Sequence, residues 1–210
     1  MRPGGRLVAR LAVLGMIFTA GFWWGRETAP LREPPAVPGL LWPAGTRLAP
    51  FELRDEANQP FTEAALEGYW TLLFFGFTHC PDICPSTLAT LKQAYAALQD
   101  TPTLARRLQV VFVSVDAERD TPEVLARYVG YFNPKFRGVT APMERLHLLT
   151  RQLGADYARV SAGKDGEYWF DHSASVFLVA PDLRVVAAFD PPFEAGALAA
   201  QIRAVHEFLE

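Results

Sequence analysis

From Trp70 to Phe77 the chain reads WTLLFFGF, eight positions with no charge and no alternation. A continuous apolar run of that length predicts a β-strand buried on both faces. Ahead of it, PFELRDE alternates as an edge strand and TEAALEG forms a short helical turn. Behind it the period changes: PSTLATLKQAYAALQ places Leu88, Leu91, Tyr95 and Leu98 on one helical face, with Ser86 or Thr87 available to cap its start. LQVVFVSVD predicts a second buried strand, and TPEVLARYVGYF a helix with Thr121 as N-cap, Pro122 at the first position and Glu123 in the first turn. PMERLHLLTRQLG is a further helix ended by Gly154. DYARVS, SVFLVAP and LRVVAAFD are strands, and EAGALAAQIRAVHEFL closes the chain as an amphipathic helix. Alternating parallel units, then an antiparallel pair and a last helix, predict an α/β fold: a thioredoxin-like sandwich with a central mixed sheet flanked by helices.

The N-terminal pattern is different. LAVLGMIFTAGFWWG, Leu11 to Gly25, carries no charge, follows arginines and ends in Trp23 and Trp24. With Leu7 to Arg10 it has about the length of a membrane-spanning helix, its N-terminus on the cytoplasmic side. Residues 1–26 are therefore expected to be a single N-terminal membrane anchor, the alternative being a cleaved signal sequence. Residues 29–43 hold five prolines, which makes 27–44 a proline-rich linker and 45–210 the folded domain. Either reading of the N-terminus puts the domain on the outer side of the membrane, facing the periplasm if the cell is bacterial.

Charge narrows the functions. The net charge is −3, but Arg2, Arg6, Arg10 and Arg26 give the first 26 residues +4, which leaves −7 on the rest. That balance argues against a nucleic-acid-binding body.

The two cysteines, Cys80 and Cys84, lie in FGFTHCPDICPST at the junction of the buried strand and the following helix. A bridge between them would close too short a loop to staple the fold. The carboxyl end of a buried strand is where ligands and reactive groups gather, and the positive end of the helix that starts there favours thiolate, the form that attacks disulfides and binds metals. Spacing suits an ion shared by two sulfurs, although Pro81 and Pro85 could bend the junction enough for a disulfide, so both chemistries stay open. Two thiolates suit soft Cu(I) better than a four-ligand zinc site. Of the histidines, His206 reads as a solvated helix-end residue, His147 as core-edge packing, and His79 as supporting structure pointing away from Cys80. His172, in a loop before an apolar strand, reads equally as a ligand or as a hydrogen-bonded turn with Asp171.

Taken together, FGFTHCPDICP, VSVDAERDTPEVLARYV and DHSASVFLV resemble the Sco/SenC family of copper-binding, thioredoxin-fold assembly factors for cytochrome c oxidase. The resemblance covers about residues 45–210. It implies copper held by Cys80, Cys84 and His172 as Cu(I), or as Cu(II) with an added weak ligand, and a redox disulfide between Cys80 and Cys84. It also implies a metallochaperone, not an enzyme, that serves the dinuclear copper centre of oxidase subunit II from the cell inner membrane. A periplasmic copper donor or a thioredoxin-like reductant is then a further partner. The alternative is a thiol-disulfide reductase that keeps the subunit's copper-ligand cysteines reduced. Asp116 and Asp120 match a family stretch and are assigned to structure or partner contact. Two departures from ordinary thioredoxins argue against general disulfide exchange: the extra residue between the cysteines, and the lack of a proline before VFLV. No activating arginine near the cysteines supports a peroxidase.

Overall fold

A computed structural model describes residues 33–41, 45–161 and 167–210. The expected anchor lies outside these residues, and no described helix is long and apolar enough to cross a membrane.

The strands are β1 (Glu52–Asp55), β2 (Pro60–Thr62), β3 (Trp70–Gly76), β4 (Leu108–Ser114), β5 (Arg137–Thr140), β6 (Tyr157–Ser161), β7 (Tyr168–His172), β8 (Val176–Val179) and β9 (Val185–Phe189). The helices are α1 (Ile83–Ala97), α2 (Pro102–Ala105), α3 (Pro122–Phe132), α4 (Met143–Leu153) and α5 (Ala195–Leu209). Seven strands form one sheet in the order β2-β1-β5-β4-β3-β8-β9, while β6 and β7 form a separate antiparallel pair. β3, β4 and β5 are parallel; β1 and β8 run against them.

The period of two along the central strands divides their side chains between two cores. Leu72, Phe74, Val110, Phe112, Val176 and Leu178 face α1, α3 and α5. Leu73, Phe75, Val111, Val113, Phe177 and Val179 face α4 and the segment around Phe51 and Phe61. All seven residues of β3 are buried, as its uninterrupted apolar run requires. Thr121 caps α3 by accepting from the Val124 amide, Pro122 occupies the first turn, and Gly154 ends α4 in the left-handed conformation at φ 65°.

Three expectations need correction. β1 is not an edge strand: it lies between β2 and β5, because Pro60–Thr62 folds back and takes the edge. α1 begins at Ile83, so Ser86 and Thr87 lie inside the helix. Asp82 is the N-cap and makes no side-chain cap bond, and the Ser86 hydroxyl donates instead to the Ile83 carbonyl. His172 is the last residue of β7, not a loop residue, since the polar sequence Tyr168–His172 pairs with Tyr157–Ser161.

Part of the proline-rich stretch runs along the sheet edge. The Leu41 amide donates to the Val186 carbonyl at 2.8 Å, and the Ala188 amide to the Gly39 carbonyl at 2.9 Å. At Gly39, with φ 79°, an added Cβ would fall 1.8 Å from the Ala188 oxygen, so only glycine permits this approach.

Candidate metal centre

β3 delivers the chain to its carboxyl end, where Phe77 to Asp82 turn into α1. The Cys80 amide donates to the Phe77 carbonyl at 3.2 Å, which closes the turn. Cys84 falls in the first turn of α1 and is fully buried, whereas Cys80 is half-buried and packs against both cores. Pro85 fits here because the first turn of a helix has amides with no intrahelical partner to lose. Gly76 supplies the space. A Cβ there would meet the Cys84 sulfur at 2.7 Å and the Phe112 ring at 2.8 Å, so glycine lets Cys84 lie directly against the central strand.

His172 reaches the cysteines from the other side. Its Nδ1 lies 3.0 Å from the Ser173 carbonyl, which only accepts, so the proton sits on Nδ1 and the Nε2 lone pair is left free. Nε2 points at the Cys84 sulfur, 3.4 Å away. Phe74 and Phe77 hold the imidazole edge-on, with ring centroids 6.1 Å and 5.9 Å distant. The two sulfurs and one imidazole nitrogen all lie within 4.8 Å of one another. A three-coordinate ion with bonds of about 2.2 Å wants its donors about 3.8 Å apart, so small side-chain adjustments suffice to hold one.

The sulfurs are electrostatically unequal. The hydrogen bond donated by Cys84 pulls the Cys80 thiol down to about 5 against the cost of burial, with help from the Cys84 and Asp82 amides. Cys84 is pushed up, first by the hydrogen bond it gives and then by burial. The pair therefore holds one thiolate and one thiol around neutrality, and both cysteines are reduced in this structure.

The other histidines lie apart from this cluster. His79 is exposed; its Nδ1 is 3.1 Å from the Thr78 hydroxyl and 3.8 Å from Asp120. His147 is exposed and stacks on Tyr157 at 5.1 Å. His206 is not solvated. It is 4% exposed, edge-on to Trp70 at 5.5 Å, and neither ring nitrogen has a hydrogen-bond partner among the described residues. It stands four residues after Ile202 on the stripe that α5 turns to the sheet.

His79, Asp116 and Asp120 also come within 4.8 Å of one another, but the carboxylates are occupied. Asp120 accepts from the Thr78 amide at 2.9 Å and from the Thr78 and Ser114 hydroxyls. Asp116 accepts from Arg119 and from the Tyr168 hydroxyl. Both aspartates, assigned from sequence to structure or partner contact, are thus engaged in hydrogen bonds within the fold. Gly76 was missed, although a lone glycine in a buried strand pattern signals close approach of another group.

Residues 44–207 match the model of the SCO1/SenC family. A Stutzerimonas stutzeri protein described as copper-binding is 40% identical over 68% of this chain and 69% of its own. The mitochondrial SCO2 homolog of Mus musculus is 36% identical over 86% of this chain and 72% of its own. Among solved structures, Arabidopsis thaliana ScoI with copper bound superposes with a TM-score of 0.70 at 32% identity, over 77% of this chain and 99% of that one.

Proposed function

Because the chain belongs to the SCO1/SenC family, we propose that it is a copper metallochaperone that binds one Cu(I) through Cys80, Cys84 and His172. Its recipient on this reading is the dinuclear copper centre of cytochrome c oxidase subunit II, on the outer side of the membrane. The observation that carries the reading is the convergence of two sulfurs and an unprotonated imidazole nitrogen within 4.8 Å. Soft sulfur ligands in low coordination select monovalent copper, and the names of the Stutzerimonas and Arabidopsis relatives point to the same metal.

The residues divide the work. Cys80, ionised and half-buried, meets the incoming ion first. Cys84 gives up its proton as it binds and anchors the ion from inside the fold. His172 closes the third side, and its Nδ1 proton on Ser173 keeps Nε2 directed at the ion. Release runs in reverse: a recipient's ligands displace Cys80 and His172 at the rim before they reach buried Cys84.

A second reading has a specific observation behind it, the Cys80 thiolate beside the Cys84 thiol. Cys80 attacks one sulfur of a partner disulfide and expels the other as thiolate. Cys84, on losing its proton, then displaces the partner, which leaves a dithiol on the partner and a Cys80–Cys84 disulfide here. Such a reductase keeps its thiol exchange without His172, whereas a copper carrier does not keep its affinity.

Anaerobic titration of the reduced full chain with Cu(I) against a competing chelator separates the two. The metallochaperone reading expects one tight equivalent in wild type and His79→Ala, and binding at least tenfold weaker in His172→Ala. Equal binding by all three removes His172 from the site, and negligible binding by wild type turns the case to the reductase.

A further inference from the structure

β7 alternates strictly: Tyr168, Phe170 and His172 face the body of the protein, and Trp169 and Asp171 face solvent. Among the described strands, β6 and β7 pair only with each other. The backbone tie from His172 to the cysteine-bearing strand is the short link 173–175 into β8, where Val176 pairs with Phe74 of β3; along the rest of β7, side chains hold the strand against the body. Phe170 packs on Phe77, the residue that follows β3, with ring centroids 5.7 Å apart. Further along, Tyr168 lies between two guanidinium groups, with Arg119 3.8 Å from the ring centroid and Arg159 3.7 Å.

The segment between β4 and α3 holds this sandwich together. Arg119 is bound by Asp116 and donates to the Tyr168 carbonyl at 3.2 Å. The Tyr168 hydroxyl donates to Asp116 at 2.9 Å, and Arg159 pairs with Glu118 at 2.7 Å. The same segment ends in Asp120, which accepts from the Thr78 amide two residues before Cys80. One short stretch, 116–120, therefore grips the cysteine loop at one end and the histidine strand at the other.

We propose that Tyr168, sandwiched by Arg119 and Arg159, is a positioning clamp that holds the His172 imidazole at bonding distance from the thiols and so sets copper affinity from outside the site. Tyr168 is four strand residues from His172, about 13 Å, and touches no donor atom. The inference rests on His172 being a copper ligand.

The test is a double-mutant cycle on Cu(I) affinity, measured on the full chain by chelator competition. Tyr168→Leu removes the ring between the guanidinium groups and is expected to weaken binding about tenfold, equivalent to about 1.4 kcal/mol. Tyr168→Phe keeps the ring and stays near wild type. In a His172→Ala background, Tyr168→Leu has no further effect, because there is no imidazole left to position. Arg159→Ala, at an exposed residue whose loss leaves the cores intact, weakens binding in the same direction by less. Wild-type affinity in Tyr168→Leu overturns the clamp, as does an equal loss in both backgrounds. If His172→Ala alone binds like wild type, the ligand reading fails and the clamp with it, an outcome seen without any Tyr168 variant.

Discussion

Gly76 sets how near Cys84 comes to the central strand, and the fit is tight enough to test. A methyl group there overlaps the Cys84 sulfur and the Phe112 ring, so Gly76→Ala is expected to cost about 1–3 kcal/mol in urea denaturation through overpacking. The same variant displaces Cys84 and weakens Cu(I) binding. Cys80 offers a second test at this scale. Its thiolate is present above pH about 5 and lost below it, so iodoacetamide should alkylate Cys80 first, at a rate half-maximal near pH 5, while buried Cys84 is spared. An inflection near the ordinary thiol value of about 8.5 would contradict the shared-proton pair. The cysteine pair was legible in the sequence from its place after a buried strand. His172 was not decided by pattern, because its position depends on a strand made of Tyr, Trp, Phe, Asp and His, without the usual aliphatic alternation. His206 was misread for a simple reason: adjacent Glu207 suggests solvent, but helical spacing ties His206 to Ile202 and the core.

At the scale of elements, the alternation of buried strands and amphipathic helices was readable because β3 and β4 are uncharged, mostly apolar runs and each long helix has one apolar stripe. Short elements were harder. β2 and β5 have three and four residues, too few for a period to show, and their pairing turned an expected edge strand into an interior one. The start of α1 was read late because no side chain caps it, so the residue types that mark N-caps pointed about one turn too far along. The segment 116–120 matters more than its length suggests. Asp120→Ala leaves the Thr78 amide and the Ser114 hydroxyl without their acceptor, at a cost of about 1–3 kcal/mol. Hydrogen exchange at Thr78 and Cys80 is expected to speed up in that variant more than at β4, whose ladder stays intact. Unchanged exchange at Thr78 would mean that the bond to Asp120 does not hold the cysteine loop.

Across the whole molecule, two cores meet at the carboxyl end of β3, and Cys80 is packed against both. The site thus sits on a rigid scaffold, with the histidine strand as its separately held part. At the far end of the same strand, Trp70 meets His206, whose burial lowers its imidazole pKa from the ordinary 6.5. Glu210 and Glu207 oppose that shift, and Arg107 adds to it. Above pH 6.5 the ring is neutral in both folded and unfolded chains. As pH falls below that, the unfolded chain takes a proton that the folded one refuses, and stability drops until the folded pKa is passed. His206→Leu should therefore flatten the loss of stability between pH 6.5 and the folded pKa, by at most about 1.4 kcal/mol per pH unit. Parallel curves for the two proteins would contradict this. The central claim concerns the donor set, and X-ray absorption at the copper edge of the anaerobic Cu(I)-loaded full chain tests it most directly. The account predicts two sulfur scatterers and one nitrogen, with the nitrogen lost in His172→Ala; a sulfur-only shell in wild type, or one unchanged by His172→Ala, would contradict it.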